Sequence, residues 1–377
     1  MKKIVIASDS FKGSLSSTDV AQSAAKGIAE VYPQCQIVQV NVADGGEGTV
    51  DAIVEALDGQ VITTTVSDPL LRPIKASYGI AQDTAIIEMA AASGLPLLAT
   101  DERNPWLTST YGTGELILDA LNRGCRKFLV GIGGSATNDA GTGMLQALGF
   151  RFLDAQGNLI EKCCGGQLQN IAKIDDSQIH KALHESTFIV ACDVDTPFCG
   201  PEGAAPVFAP QKGADAQMVE QLDNGMASLA NVIEQKYAIN ITNVAGAGAA
   251  GGMGGAFRAF LNATLKKGID MVLDAIKFDT LISGADLIIT GEGKVDFQTA
   301  KGKTAAGVLA RGKQAGIPVV AIGGCVEMCD SLSQMGFAGI YPILEEKVPL
   351  EIAMQHDFAS NNVTNTVIRI LKSENIA

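Results

Sequence analysis

The stretch Gly131–Gly149, GIGGSATNDAGTGMLQALG, limits the possible folds more than any other part of the chain. It follows the apolar run Phe128-Leu129-Val130 and precedes Met144, Leu145 and Leu148 at helical spacing, which predicts strand, glycine-rich turn and helix. Glycines 131, 133, 134, 141 and 143 let backbone approach an anion closely, Ser135 and Thr137 add hydroxyl donors, and Asn138 and Asp139 can cap the helix or face a metal. The alternative is a tight strand-to-helix connection capped by Asp139.

Composition bounds what such a turn can serve. The 377 residues suffice for two or three domains with sizeable cores. Average usage near 7% would give about 26 glycines; there are 42, gathered in discrete turns rather than tracts. With 28 Lys and Arg against 41 Asp and Glu, and no basic tail or stripe, nucleic acid and anionic membrane are not expected partners. Eight cysteines without a CxxC pair, beside three histidines, read as reduced, buried thiols in a cytoplasmic protein without a zinc site. The N-terminal apolar run, Ile4 to Ala7, is too short for a signal-peptide core, and no run reaches the roughly 18 residues of a membrane span.

Other strand-and-turn units follow the same plan. Lys3 to Ala7 reads as a buried parallel strand ending at Ser8-Asp9-Ser10-Phe11-Lys12-Gly13, with a capping box at Ser16 and Asp19 and a helical face at Val20, Ala24, Ile28 and Val31. Lys12 at that junction could meet phosphate or simply be a solvated lysine. Gln36 to Val42 ends in Ala43-Asp44-Gly45-Gly46-Glu47-Gly48, whose carboxylates could bind a divalent cation, or else Asp44 caps the helix that follows. From Val61 to Met89 short alternating segments predict an antiparallel or mixed region. Ser109 to Glu115 opens a helix with hydroxyls and glycines, a second possible anion seat or a plain cap. Thr187 to Ala191 leads to Asp193 and Asp195, which could face a metal or a hydroxyl, or merely form a turn. Asp286 to Thr290 leads to a glycine turn, Gly291-Glu292-Gly293-Lys294-Val295-Asp296, before further α/β winding to the C-terminus.

One motif invites a different reading. Gly246, Gly248 and Gly251 satisfy GxGxxG, with Asp270 about twenty residues on, as a nicotinamide-dependent hydroxy-acid oxidoreductase would require. The preceding segment, Ile239 to Val244, carries Asn240 and Asn243 and makes a weak central strand. Backbone donors, cations and carboxylates around the other turns instead suit phosphoryl transfer, with a carboxylate as base because histidines are few.

At these residues the chain resembles the class I glycerate kinases, bacterial enzymes that phosphorylate glycerate, nearly end to end. The resemblance rests on Asp9-Ser10-Phe11-Lys12, Ala43 to Gly48, Thr110 to Leu116, Gly131 to Gly141, Ala191-Cys192-Asp193, Ala209 to Gly213, Gly246 to Gly254, and Thr290 to Gly293 with Asp296. It departs from the family pattern at Ser8, Lys294-Val295 and Ala305, where proline, Arg-Ile and proline are frequent. The resemblance implies phosphorylation of D-glycerate at its 2-hydroxyl, dependent on ATP and Mg2+, by a protein whose partners are these small molecules and which is a monomer or homodimer. It implies two α/β domains with the site in the cleft between them. One is Rossmann-like, with a mainly parallel sheet formed discontinuously from 1–62 and 285–377; the other is an inserted mixed α/β domain, 63–284. On this basis Asp193 would orient or deprotonate the hydroxyl, and Lys12 and Lys294 would neutralise phosphate. Asp44, Glu47 and Asp296 would hold magnesium directly or through water, and Ser135, Thr137 and Asn138 would hold an anion. Ser10, Gly133, Gly134, Gly291 and Gly293 would complete the substrate and phosphate contacts.

Overall fold

The computed structural model describes residues 1–46, 48–344, 346 and 348–373. In chain order the strands are β1 (Lys3–Ser8), β2 (Gln36–Asn41), β3 (Gln60–Ser67), β4 (Pro73–Ala81), β5 (Thr84–Glu88), β6 (Lys127–Gly131), β7 (Arg151–Leu153), β8 (Lys173–Asp175), β9 (Thr187–Ala191), β10 (Thr264–Lys266), β11 (Leu287–Val295), β12 (Val319–Val326) and β13 (Gly339–Pro342). They serve two compact units. The first takes the described residues of Met1–Asp44, Glu55–Leu57 and Val272–Ala377, the second those of Gly45–Val54 and Asp58–Met271.

In the first unit the β-branched run of β1 becomes the middle of a five-stranded sheet ordered β13-β12-β11-β1-β2. Every neighbouring pair is parallel. Parallel strands covered on both faces read as continuous apolar runs, and Ile4, Val5, Ile6 and Ala7 are all 0% exposed. The helix Ser17–Val31 starts at the expected capping box, with Ser16 Oγ accepting from Asp19 N at 3.1 Å and Asp19 Oδ2 accepting from Ser16 N at 3.0 Å. Its Val20, Ala24 and Ile28 join Ile4, Ile6, Val363 and Val367 in one core beneath the helix His356–Lys372. The chain leaves β1 toward β2 on one side and reaches β11 on the other, so the carboxyl edge at β1 and β11 is the switch point where open α/β sheets gather ligands.

The segment expected as a glycine turn after Thr290 is instead the outer half of β11. Glu292 pairs with Gly323 of β12 and Lys294 with Cys325. Strand pairing overrides the weak strand preference of Gly291 and Gly293, because β12 offers the partners on one side and Asp9 N donates to Gly291 O at 2.9 Å on the other. Gly291 is required there by close approach, since a Cβ would lie 2.5 Å from Ile322 O.

The second unit holds a six-stranded mixed sheet ordered β10-β9-β6-β5-β4-β3, with β7 and β8 forming a separate pair. β4 pairs antiparallel with both β3 and β5, as their short alternating segments predict, while β5, β6, β9 and β10 are parallel. The discontinuous parallel sheet and the inserted mixed sheet expected from the chain are thus both present. Ile239 to Val244 forms no strand. In the first turn of the helix Thr49–Ala56, Glu88 Oε1 accepts from Val50 N at 2.9 Å. All eight cysteines are free, but only Cys125, Cys163 and Cys199 are buried, and Cys325 is exposed. Among the described residues no helix is long and apolar enough to cross a membrane.

Candidate functional site

The turn after β6 is tied down almost atom by atom. Gly134 O accepts from Leu95 N at 2.8 Å, Ala136 N donates to Ser93 O at 2.9 Å, and Ala136 O accepts from Thr108 Oγ1 at 3.0 Å. Asp139, fully buried, accepts from Thr110 N and Thr110 Oγ1 at 2.8 Å each, from Gly141 N at 3.1 Å and from Gly143 N at 3.2 Å. It therefore braces the start of two helices, Tyr111–Asn122 and Thr142–Ala147, and does not face a metal. Burial pushes its carboxyl above the usual range, against the opposing pull of the Thr110 donors and the two glycine amides.

The residue that sequence reasoning passed over is Lys212. Its ammonium is 1% exposed and donates to Ser135 Oγ at 2.7 Å and to Thr137 O at 2.6 Å, both within the turn. Burial pulls its pKa down to about 7, with the negative charge of Asp139 opposing. By occupying a lone pair of Ser135 Oγ, Lys212 leaves the Ser135 hydroxyl proton free to point elsewhere. Thr137 Oγ1 and Asn138 Oδ1 are buried and have no hydrogen-bond partner among the described residues, so the turn carries polar atoms that its own packing does not satisfy. Gly133 and Gly134 lie exposed at its tip. A lysine flanked by Gln211 and Gly213 at the end of a short apolar helix was the available signal.

The glycines of Ala245 to Gly255 serve this turn as well. The helix Ala249–Phe260 is interrupted at Ala250, Gly251 and Gly252, all at positive φ. Gly251 O accepts from Ala140 N at 2.9 Å, and a Cβ on Gly251 would lie 2.1 Å from Thr137 O. The GxGxxG spacing therefore records close packing against the central turn; without a preceding strand it lacks the context of a dinucleotide fingerprint.

β9 runs beside β6 with Ala191 opposite Gly131, so Asp193 follows the neighbouring strand end. Its side chain is exposed, and Oδ1 accepts from Gly268 N at 3.0 Å. Asp193 and the central turn are thus presented on one edge of the second unit.

The first unit gathers the remaining candidates at its carboxyl edge. Ser10 and Lys12 follow β1, Asp44 follows β2, and Gly291, Gly293, Lys294 and Asp296 lie in or just after β11. Glu47 lies outside the described residues. Lys12 is exposed; Lys294 pairs with Asp296 at 3.3 Å and with Glu327 at 3.0 Å while half exposed, an arrangement a phosphate could replace at small cost. Burial acts to raise the Asp296 carboxyl, but the Gln298 amide and Lys294 outweigh it and hold it below the usual range. Sequence reasoning assigned no role to Asp9 or to Glu292. Asp9 accepts from Ser10 N at 2.7 Å and from Thr304 Oγ1 at 2.9 Å, and burial, assisted by Asp44, raises it. Glu292 accepts from Thr299 Oγ1 at 2.6 Å, and burial, assisted by Asp9 and Asp296, pushes it up to about 7. These hard oxygen donors suit Mg2+. Among the described residues no group of three or more His, Cys, Asp or Glu able to hold a metal forms.

Lys212 makes stability depend on pH with a definite sign. Its folded pKa of about 7 lies below the ordinary 10.5, so between those values the unfolded chain holds a proton that the folded chain has shed. Stability relative to Lys212→Met therefore rises as pH climbs through that window. Urea unfolding of both proteins from about pH 6 to 10 checks this, and a difference that stays flat or falls would contradict it.

Residues 4–374 match the sequence model of the Glycerate kinase family. The chain is 46% identical over 357 residues to the glycerate kinase of Bacillus subtilis (strain 168), covering 94% of this chain and 93% of that one. It is 44% identical over 373 residues to the glycerate 2-kinase of Escherichia coli (strain K12), covering 97% and 98%. A crystal structure from Salmonella typhimurium LT2, provisionally assigned as glycerate kinase 2, superposes with a TM-score of 0.89 at 42% identity, covering 98% of this chain and 97% of that one. With nearly every residue matched and both sheets in place, the chain belongs to the glycerate kinase family.

Proposed function

We propose that the protein is a glycerate 2-kinase, transferring the γ-phosphoryl group of ATP to the 2-hydroxyl of D-glycerate to give 2-phosphoglycerate and ADP. The observation that carries this reading is the 44% identity, over nearly the whole of both chains, to the relative named glycerate 2-kinase. The residues of each unit are suited to one part of the reaction. In the second unit, the Ser135 hydroxyl, oriented by Lys212, and the unsatisfied Thr137 and Asn138 side chains bind the glycerate carboxylate at the central turn. Asp193, held by the Gly268 amide, accepts the proton of the 2-hydroxyl as its oxygen bonds to the γ-phosphorus and the bond to the ADP oxygen breaks.

In the first unit, Lys12 and Lys294 offset phosphate charge, and Ser10 with the backbone at Gly291 and Gly293 lies at the same strand ends. Asp44 and Asp296, with Asp9 beside them, would hold magnesium, which neutralises charge on the transferring phosphoryl group when bound. Glu292, whose carboxyl burial pushes up to about 7, limits the negative charge that the edge presents to an incoming polyphosphate.

Incubation with magnesium, ATP and D-glycerate, followed by phosphorus NMR, is expected to yield 2-phosphoglycerate; accumulation of 3-phosphoglycerate would reject the assigned position. Asp193→Asn is expected to lower kcat by about 10²- to 10⁴-fold with little change in either KM. Full turnover in that variant would remove Asp193 as the base.

A further inference from the structure

A cavity of about 250 Å³ opens at the carboxyl edge of the parallel sheet in the first unit, bordered by the candidate site residues Lys12 and Gly293. Its walls come from four successive strand ends: Phe11 to Ser14 after β1, Gly293 in β11, Gly324 and Cys325 in β12, and Ile343 and Leu344 after β13. Phe11, Leu344, Leu350 and Met354 make it largely apolar. Leu350 is 74% exposed and Met354 36%, so apolar side chains stand in water at its rim. Ser14 Oγ is buried against the cavity and has no hydrogen-bond partner among the described residues.

These features select one kind of occupant. The volume falls below the roughly 300 Å³ at which complete drug-sized ligands begin, so it takes a single flat heterocycle and leaves anything attached outside. Apolar walls with one unsatisfied hydroxyl suit a ring with polar edge atoms, whereas glycerate, small and anionic, has no apolar face to bury. Lys12, at the border, can meet a negative group leaving the cavity toward the carboxylates of Asp9, Asp44 and Asp296.

We propose that this cavity holds the adenine of ATP, which makes the discontinuous parallel-sheet unit the nucleotide-binding unit. The proposal rests on the kinase reading above and deepens it. Adenine stacks against Phe11, Leu344 and Leu350, Ser14 Oγ hydrogen-bonds its edge, and the phosphates run past Lys12 to the acidic strand ends.

Cys325, exposed and lining the cavity, provides the test. Alkylation by iodoacetamide, followed residue by residue by mass spectrometry, is expected to slow at Cys325 when ADP alone is present and not when D-glycerate alone is present. Calorimetric titration of ADP into Ala353→Phe, which fills the cavity, is expected to show about tenfold weaker binding, with the D-glycerate KM unchanged. ADP that binds without slowing alkylation at Cys325, or D-glycerate that slows it, would overturn the proposal while leaving the kinase reading intact. Absence of any ADP binding would overturn both, and protection by ADP without glycerate turnover would overturn the kinase reading alone. Should Ala353→Phe not fold, the wild-type alkylation pattern decides.

Discussion

The buried Asp139 carboxylate is the interaction on which the central turn depends. Taking an ionised group out of water is costly unless hydrogen bonds replace its hydration, and four donors, three of them backbone amides, do so here. The same four bonds join the turn to the starts of two helices, so its shape cannot relax independently of the second unit's core. Lys212 enters from the Pro210–Lys212 turn and fixes Ser135 and Thr137, and Gly251 closes the turn from the interrupted helix. With its framework satisfied internally, the turn can keep Thr137 and Asn138 atoms unpaired for a ligand.

The parallel sheet solves a different problem. Burial, assisted by neighbouring carboxylates, raises Asp9 and Glu292 at its strand ends, a cost that marks this edge as a place for ligand chemistry. A glycerate kinase needs a place for the nucleotide as well as for the acid, and the apolar cavity at this edge supplies a chemistry that the polar central turn does not.

Much of the fold was legible because it rests on local rules. The apolar run of β1, the Ser16 and Asp19 capping box and the alternating strands after Val61 carry their structure in their own spacing. The misreadings all involve tertiary partners. Gly291 to Lys294 looks like a turn until β12 pairs with it, and the Val50 amide finds its acceptor in Glu88, far along the chain. Gly251 satisfies a nucleotide motif while serving as a packing contact, because a spacing pattern does not say what a glycine approaches. Lys212 was passed over for the same reason: burial of a lysine is decided by residues remote in sequence.

Within the candidate site, the most legible positions were those at strand ends, where topology alone brings side chains to an edge. Asp193, just past the end of β9 beside the end of β6, is one such position. Under the proposed function, Lys212 shapes the central turn into the seat for the glycerate carboxylate. Calorimetric titration of D-glycerate and, separately, of ADP into wild type and Lys212→Met tests it most directly. D-glycerate binding weaker by about tenfold or more is expected, with ADP binding and a cooperative urea-unfolding transition both retained as signs of an intact fold; unchanged D-glycerate affinity in the folded variant would contradict it.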